Sequence, residues 1–313
     1  VISNSEGKID IVGQSGLRRI MNFETRSGNI VQNSKPLKFN YEYKNEIINS
    51  YGRVFSMNNV KKYSSKIYNI CNNILNSKGI VLIYSQFIEG GVVPIALALE
   101  ELGFSRFSTS PNSRSLFKEP PTEPIDSIYM KTKKELKNVK FNPARYVLIT
   151  GDQHFSHNNL EDINFITKNE NKDGSQVKVI IISRAASEGL DFKNIRQLHV
   201  LEPWYNLNRT EQIIGRAVRN LSHCKLPFEE RNVEVYLYSM RPIQKSDNSK
   251  VETVDMYVYR LAEKKSQQIG NVTRLLKNIS IDCYLNISQT NFSIENFKKL
   301  IIDNNIINIQ LSS

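Results

Sequence analysis

VKVIIISRAASEGLDF, residues 177–192, decides how this chain folds. Val179 to Ile182 are uninterrupted β-branched residues, and a run that is apolar on both faces suits a strand covered on both sides. Ser183 to Phe192 then turn polar around Gly189, so the strand's carboxyl end opens into a turn, where open α/β sheets bind their ligands. Four more runs read as strands: IVLIYS (Ile80–Ser85), RYVLITG (Arg145–Gly151), RQLHVLEP (Arg196–Pro203) and VEVYLYSM (Val233–Met240). Between them, Gly91–Leu102 (stopped by Gly103), Asn158–Thr167 and Asn208–Asn220 space their apolar residues at three and four, as helices do. Strand and helix in alternation predict an α/β fold, a doubly wound, mainly parallel sheet with flanking helices, over residues 61–241.

The remaining segments differ. Residues 1–60 are polar and Asn-rich and read as a connector. Residues 105–143 hold Pro111, Pro120, Pro121, Pro124 and Pro143, so this stretch reads as a loop insertion, basic in its second half through Lys131, Lys133, Lys134, Lys137 and Lys140. Residues 242–313 begin with QKSDNSK and continue as an amphipathic pattern, predicting a helical C-terminal extension.

Composition narrows the function. The 313 residues include 42 Lys+Arg and 31 Asp+Glu, a formal charge of +11, which favours an anionic partner such as nucleic acid. No apolar stretch is long enough to span a bilayer and the start, VISNSEGKID, is unlike a signal peptide, arguing against a membrane or secreted protein. Cys71, Cys224 and Cys283 form no Cys-x-x-Cys pair, which fits a reducing, intracellular setting without a structural metal. The first residue is Val1, so a fragment or processed product is expected.

The chemistry concentrates in EQIIGRAVRN (Glu211–Asn220). On a helix Gln212, Arg216 and Arg219 share one face, and Gly215 leaves room for close approach. Two convergent arginines repel unless an anion lies between them, and guanidinium groups match phosphate oxygens. A surface helix with two solvated arginines is the plain alternative. Upstream, Asp191 is placed to accept ribose hydroxyls or to orient an arginine.

SRAASEGLDF followed by QIIGRAVR resembles motifs V and VI of superfamily 2 helicases and translocases. IVLIYSQF is similar to motif IV, in the form found in Swi/Snf-type translocases, and ITGD (Ile149–Asp152) to the nucleic-acid-contacting motif between IV and V. The wording of NIRQLHVLEPWYNLNRTEQIIGRAVRN resembles the helicase group of large DNA viruses, which includes the poxvirus early-transcription-factor helicase subunit and nucleoside triphosphate phosphohydrolase I. The likeness spans roughly residues 60–285.

This resemblance implies the second RecA-like lobe of a motor that closes on ATP and Mg2+ held mainly by a first lobe. Arg216 and Arg219 then match the catalytic arginines, and Gln212, Gly189 and Asp191 the nucleotide-binding positions. Ser85, Gln86, Thr150, Gly151 and Ser183 match the nucleic-acid-contacting ones. The implied partners are nucleic acid, DNA more than RNA, an N-terminal RecA-like lobe and viral transcription machinery, in the virion or a cytoplasmic viral factory. No G-x-x-x-x-G-K-[ST] occurs, since the Gly7-Lys8 pair has Ile2 where the first glycine belongs and Ile9 where the hydroxyl belongs, and no DEAD- or DEAH-like acidic strand end is present. An isolated chain without these should not hydrolyse ATP. A non-catalytic RecA-like scaffold of a transcription complex is the alternative; a Rossmann enzyme is disfavoured because no G-x-G-x-x-G follows the first strand.

Other residues carry blander readings. His154 and His157 lack metal-ligand partners at suitable spacing, His199 reads as a core histidine, and the pair His223 and Cys224 lacks a third group to orient it. Trp204 and Tyr205 suit either stacking on a base or packing beneath the arginine helix.

Overall fold

The structure is a computed structural model that describes residues 13–24, 40–110, 115–137, 139–153, 155–156, 158–184, 190–241 and 252–285, with the backbone of 299–302 and 305–308. In chain order, α1 (Gly13–Ile20), the short strands β1 (Met21–Asn22) and β2 (Glu42–Tyr43), α2 (Asn45–Tyr51), α3 (Met57–Tyr63) and α4 (Ser65–Leu75) lead to β3 (Ile80–Tyr84). Then come α5 (Val93–Glu101), β4 (Ser105–Phe107), β5 (Arg145–Ile149), α6 (Asn159–Ile166), β6 (Val179–Ile182), β7 (Ile195–Val200), α7 (Leu207–Ala217) and β8 (Glu234–Leu237). Helix α8 (Val254–Ile279) and a hairpin of β9 (Lys299–Ile302) and β10 (Asn305–Asn308) follow.

Six strands form one sheet in the order β4-β5-β6-β3-β7-β8, and every neighbouring pair is parallel. All five expected strands lie in it, and the architecture is the expected α/β one, a parallel sheet with helices on both faces. Strand geometry sends alternate residues to opposite faces, so Val81, Ile83, Leu148 and Ile181 join one core with α4 and α5. Ile80, Leu82, Tyr84, Ile180 and Ile182 join a second core with Ile163 and Ile166 of α6 and Ile213 of α7. Helix layers on both faces explain why the strand runs are continuously apolar.

The sixth strand, β4, lies inside the stretch read as loop. Its sequence SRF has no apolar run, and it exists because β5 pairs with it at the sheet edge. The rest of that stretch is irregular but anchored. Glu100 is buried and accepts from Leu116 N at 2.8 Å, Phe117 N at 3.0 Å and the Tyr146 hydroxyl at 2.7 Å. Asp126 accepts from Ile128 N, Tyr129 N and Asn142 N. Bonds from Ala144 N to Ile125 O and from Ser127 Oγ to Ser175 O fasten the insertion beside the amino ends of β5 and β6.

The segment read as a connector contributes core residues: Leu17, Met21, Tyr41, Tyr43, Phe55 and Val60 are buried. Its apolar residues are scattered singly, so no run reveals them, and tertiary contacts such as Tyr41 N to Leu116 O collect them. The expected helical extension is α8, capped by the Thr253 hydroxyl and tied to α4 by Lys66 Nζ, 2.6 Å from Asp255 Oδ2. The loop QKSDNSK lies outside the described residues.

Candidate functional site

Helix α7 buries Thr210, Ile213 and Ala217 against the sheet and starts just past the carboxyl end of β7. It was expected to run to Asn220, with Arg219 on its face. It stops at Ala217 instead, because Val218 adopts an extended backbone with φ −106 and ψ 93. Arg219 therefore lies in the turn beyond, which Leu221, at φ 61, and the Ser222 hydroxyl, donating to Arg219 O at 2.8 Å, fold back. The two arginines still converge. Arg219 is ion-paired with Asp191, and Arg216 Nη1 lies 3.8 Å from the same carboxylate oxygen and donates to Leu190 O at 2.9 Å.

The anion that two arginines need is thus an internal one, the carboxylate of Asp191, in the connection between β6 and β7 at the carboxyl edge of the sheet. Arg216 is mostly buried, its side chain 21% exposed, whereas Arg219 and Asp191 are about half exposed at 51% and 54%. Arg216 Nε is buried and has no partner among the described residues, so this guanidinium keeps capacity for another acceptor. Gln212 and Gly215 lie exposed on α7, and a β-carbon on Gly215 would meet nothing within 4 Å. Gly189 lies outside the described residues.

A second group gathers along the same edge. Gly151, just past β5, donates its backbone N–H to Ser183 Oγ, just past β6, at 3.3 Å. Gly151 is exposed, whereas Thr150 is buried with its hydroxyl 2.9 Å from Ser156 Oγ and 3.0 Å from Asp152 O. Ser85 faces inward: it is fully buried and donates to Glu202 Oε1 at 2.9 Å, while Gln86 N donates to the other oxygen at 3.1 Å. Burial raises the pKa of Glu202, and these hydrogen bonds oppose the rise. Gly91 makes the arrangement possible, since a β-carbon there would stand 1.9 Å from Ser85 Oγ. Glu202 escaped the sequence reading; an acid directly after an apolar strand, as in LEP, was its only signal.

The other candidates are accounted for locally. His199 is buried, stacks on Tyr236 at 4.8 Å between centroids and bonds the Tyr238 hydroxyl at 2.8 Å, and burial lowers its pKa to about 4. Both ring nitrogens of His223 are engaged, by Ser222 Oγ and Ile195 O, which leaves none for Cys224. His154 and His157 lie outside the described residues. Lys131, Lys133, Lys134, Lys137 and Lys140 are exposed on the insertion fastened at the amino ends of the strands, away from the edge that carries Gly151, Ser183 and Asp191. Among the described residues no three His, Cys, Asp or Glu side chains group as metal ligands, and no helix is long and apolar enough to cross a membrane.

Residues 121–221 match the family described as Helicase conserved C-terminal domain. It is similar to a protein of Acanthamoeba polyphaga mimivirus named as an ATP-dependent RNA helicase, 32% identical over 57% of this chain and 26% of the relative. It is also similar to the termination factor NPH-I homolog of African swine fever virus, 29% identical over 71% of this chain and 33% of the relative. The chain thus spans a third or less of the length of these two relatives. Among solved structures, the C-terminal part of the Fun30 ATPase domain aligns with 66% of this chain and 50% of its own at 13% identity and a TM-score of 0.38.

Proposed function

We propose that this chain is the second lobe of an ATP-dependent nucleic-acid helicase or translocase. The convergence of Arg216 and Arg219 on one carboxylate at the ligand-binding edge of a parallel sheet carries the reading. Both names among the relatives, an ATP-dependent RNA helicase and a termination factor NPH-I homolog, support it. The NPH-I likeness also favours a role in viral transcription, and the free cysteines Cys71, Cys224 and Cys283 suit an intracellular, reducing setting.

ATP, with Mg2+, would supply a phosphoryl group for transfer to water. This chain's part is electrostatic. Arg216 and Arg219 would turn from Asp191 towards phosphate oxygens, where guanidinium groups stabilise charge that spreads during transfer. The described residues fit that role on the arginine side, through the unpartnered Arg216 Nε. The phosphate-cradling loop and the magnesium carboxylate belong to a first lobe. Gly151 and Ser183, on neighbouring strand ends, would hold phosphates of the strand; such contacts read backbone rather than base, so binding is salt-dependent and weakly sequence-selective.

The test is nucleic-acid-stimulated ATPase of the chain joined to its first lobe. Arg216→Ala and Arg219→Ala should each lower the rate about 10³-fold or more. Normal ATPase in both variants would overturn the role given to the two arginines, whereas no ATPase from the joined parent would favour a non-catalytic RecA-like scaffold of a transcription complex.

A further inference from the structure

We propose that Tyr84, Arg184 and Arg209 form a second anion station on this edge, which takes a phosphate of the nucleic-acid strand. The proposal rests on the reading of the chain as a motor lobe and adds residues to it. Arg209 and Arg216 lie on one stripe of α7, two turns or about 10 Å apart. Each carries a buried nitrogen with no partner among the described residues, Nη1 in Arg209 and Nε in Arg216. The Tyr84 hydroxyl, at the end of β3, is a third such atom.

The orphans of Tyr84 and Arg209 are neighbours. Tyr84 lies in the core layer that α7 covers, and its hydroxyl feels the charges of Arg209, Glu202 and Arg184. Arg209 and Arg184 both pack on Trp204, their guanidinium carbons 4.3 Å and 5.6 Å from its ring centroid. Glu202 accepts from Ser85 and Gln86 N, and neither the Tyr84 hydroxyl nor Arg209 Nη1 bonds to it.

A buried donor without an acceptor costs about 1–3 kcal/mol, and the two here, the Tyr84 hydroxyl and Arg209 Nη1, call for an anionic oxygen. The flat guanidinium suits phosphate. A strand, rather than a free phosphate, fits the position: Arg184 directly follows Ser183, so the station continues the row begun by Gly151 and Ser183 across adjacent strand ends. One helix then bears on strand phosphate through Arg209 and on nucleotide through Arg216. A shift of α7 would be felt at both.

Trp204 is the chain's only tryptophan and lies within the station, so its fluorescence reports occupancy. The chain is titrated with a mixed-sequence single-stranded oligodeoxynucleotide and, separately, with inorganic pyrophosphate. The oligonucleotide should change the Trp204 emission. Tyr84→Phe and Arg209→Gln should each weaken its binding about tenfold, and Arg209→Gln should reduce the salt slope by about one. Melting temperature checks that each variant folds; if Arg209→Gln does not, Tyr84→Phe, which removes one oxygen, decides alone. Unchanged oligonucleotide affinity in the folded variants overturns the station, while the ATPase reading keeps its own test at Arg216. Weakened pyrophosphate binding with unchanged oligonucleotide binding would make it a free-phosphate site and overturn the assignment to the strand.

Discussion

Asp191 is ion-paired with Arg219 across the turn that ends α7, and the oxygen that makes the pair also lies 3.8 Å from Arg216. The carboxylate occupies the place between two guanidinium groups that a phosphate would compete for. Its half exposure keeps the pair weak and screened by salt, so exchange for a stronger anion is cheap.

Removing that internal competitor should therefore favour an external anion. Asp191→Asn is expected to bind inorganic pyrophosphate severalfold more tightly than the parent chain, measured by calorimetry at low salt. Equal or weaker binding would show that Asp191 positions the arginines more than it occupies them.

Gly91 is required by a close approach. A β-carbon there would stand 1.9 Å from Ser85 Oγ and 3.1 Å from Glu202 Oε1, so Gly91→Ala must push Ser85 off Glu202. The cost should reach about 1–3 kcal/mol or more in urea unfolding. A neutral result would mean that the end of β3 relaxes without loss.

Glu100 holds the insertion. Glu100→Ala leaves Leu116 N, Phe117 N and the Tyr146 hydroxyl without their acceptor, an expected loss of at least about 3 kcal/mol. Faster proteolysis within residues 115–143 should accompany it. Glu100→Gln, which keeps an accepting oxygen, should recover part of the loss.

His199 should make stability depend on pH. Its pKa is about 4 in the folded chain, against an ordinary 6.5, because burial disfavours the charged ring. The unfolded chain takes up the proton first as pH falls, so this stability is present above about pH 6.5 and is lost towards pH 4. Between pH 7 and 4.5 the parent should lose roughly 2–3 kcal/mol more than His199→Phe in urea unfolding. Parallel pH profiles would contradict the assignment.

Much of the architecture was readable because parallel strands buried on both faces write themselves as continuous aliphatic runs, and Val179–Ile182 is such a run. Strand β4 was not readable, since SRF forms a strand only through β5 beside it. The same holds for Tyr41, Tyr43 and Phe55, single aromatic residues whose burial depends on distant partners. The carboxyl edge that gathers Gly151, Ser183 and Asp191 was legible too, because each of them follows an apolar strand run.

The sequence by itself determined the α/β class, the strand ends that make up the carboxyl edge, and the residue types gathered there, since each follows from local periodicity and side-chain chemistry. Tertiary structure alone decided which of them meet. Arg219 reaches Asp191 from a turn and not from the helix face that its spacing suggests, Ser85 turns inward to Glu202, and Arg209 joins Tyr84 and Trp204. These pairings depend on where a helix stops and how strands are ordered, which are set by packing across the whole sheet and not by any single stretch of chain.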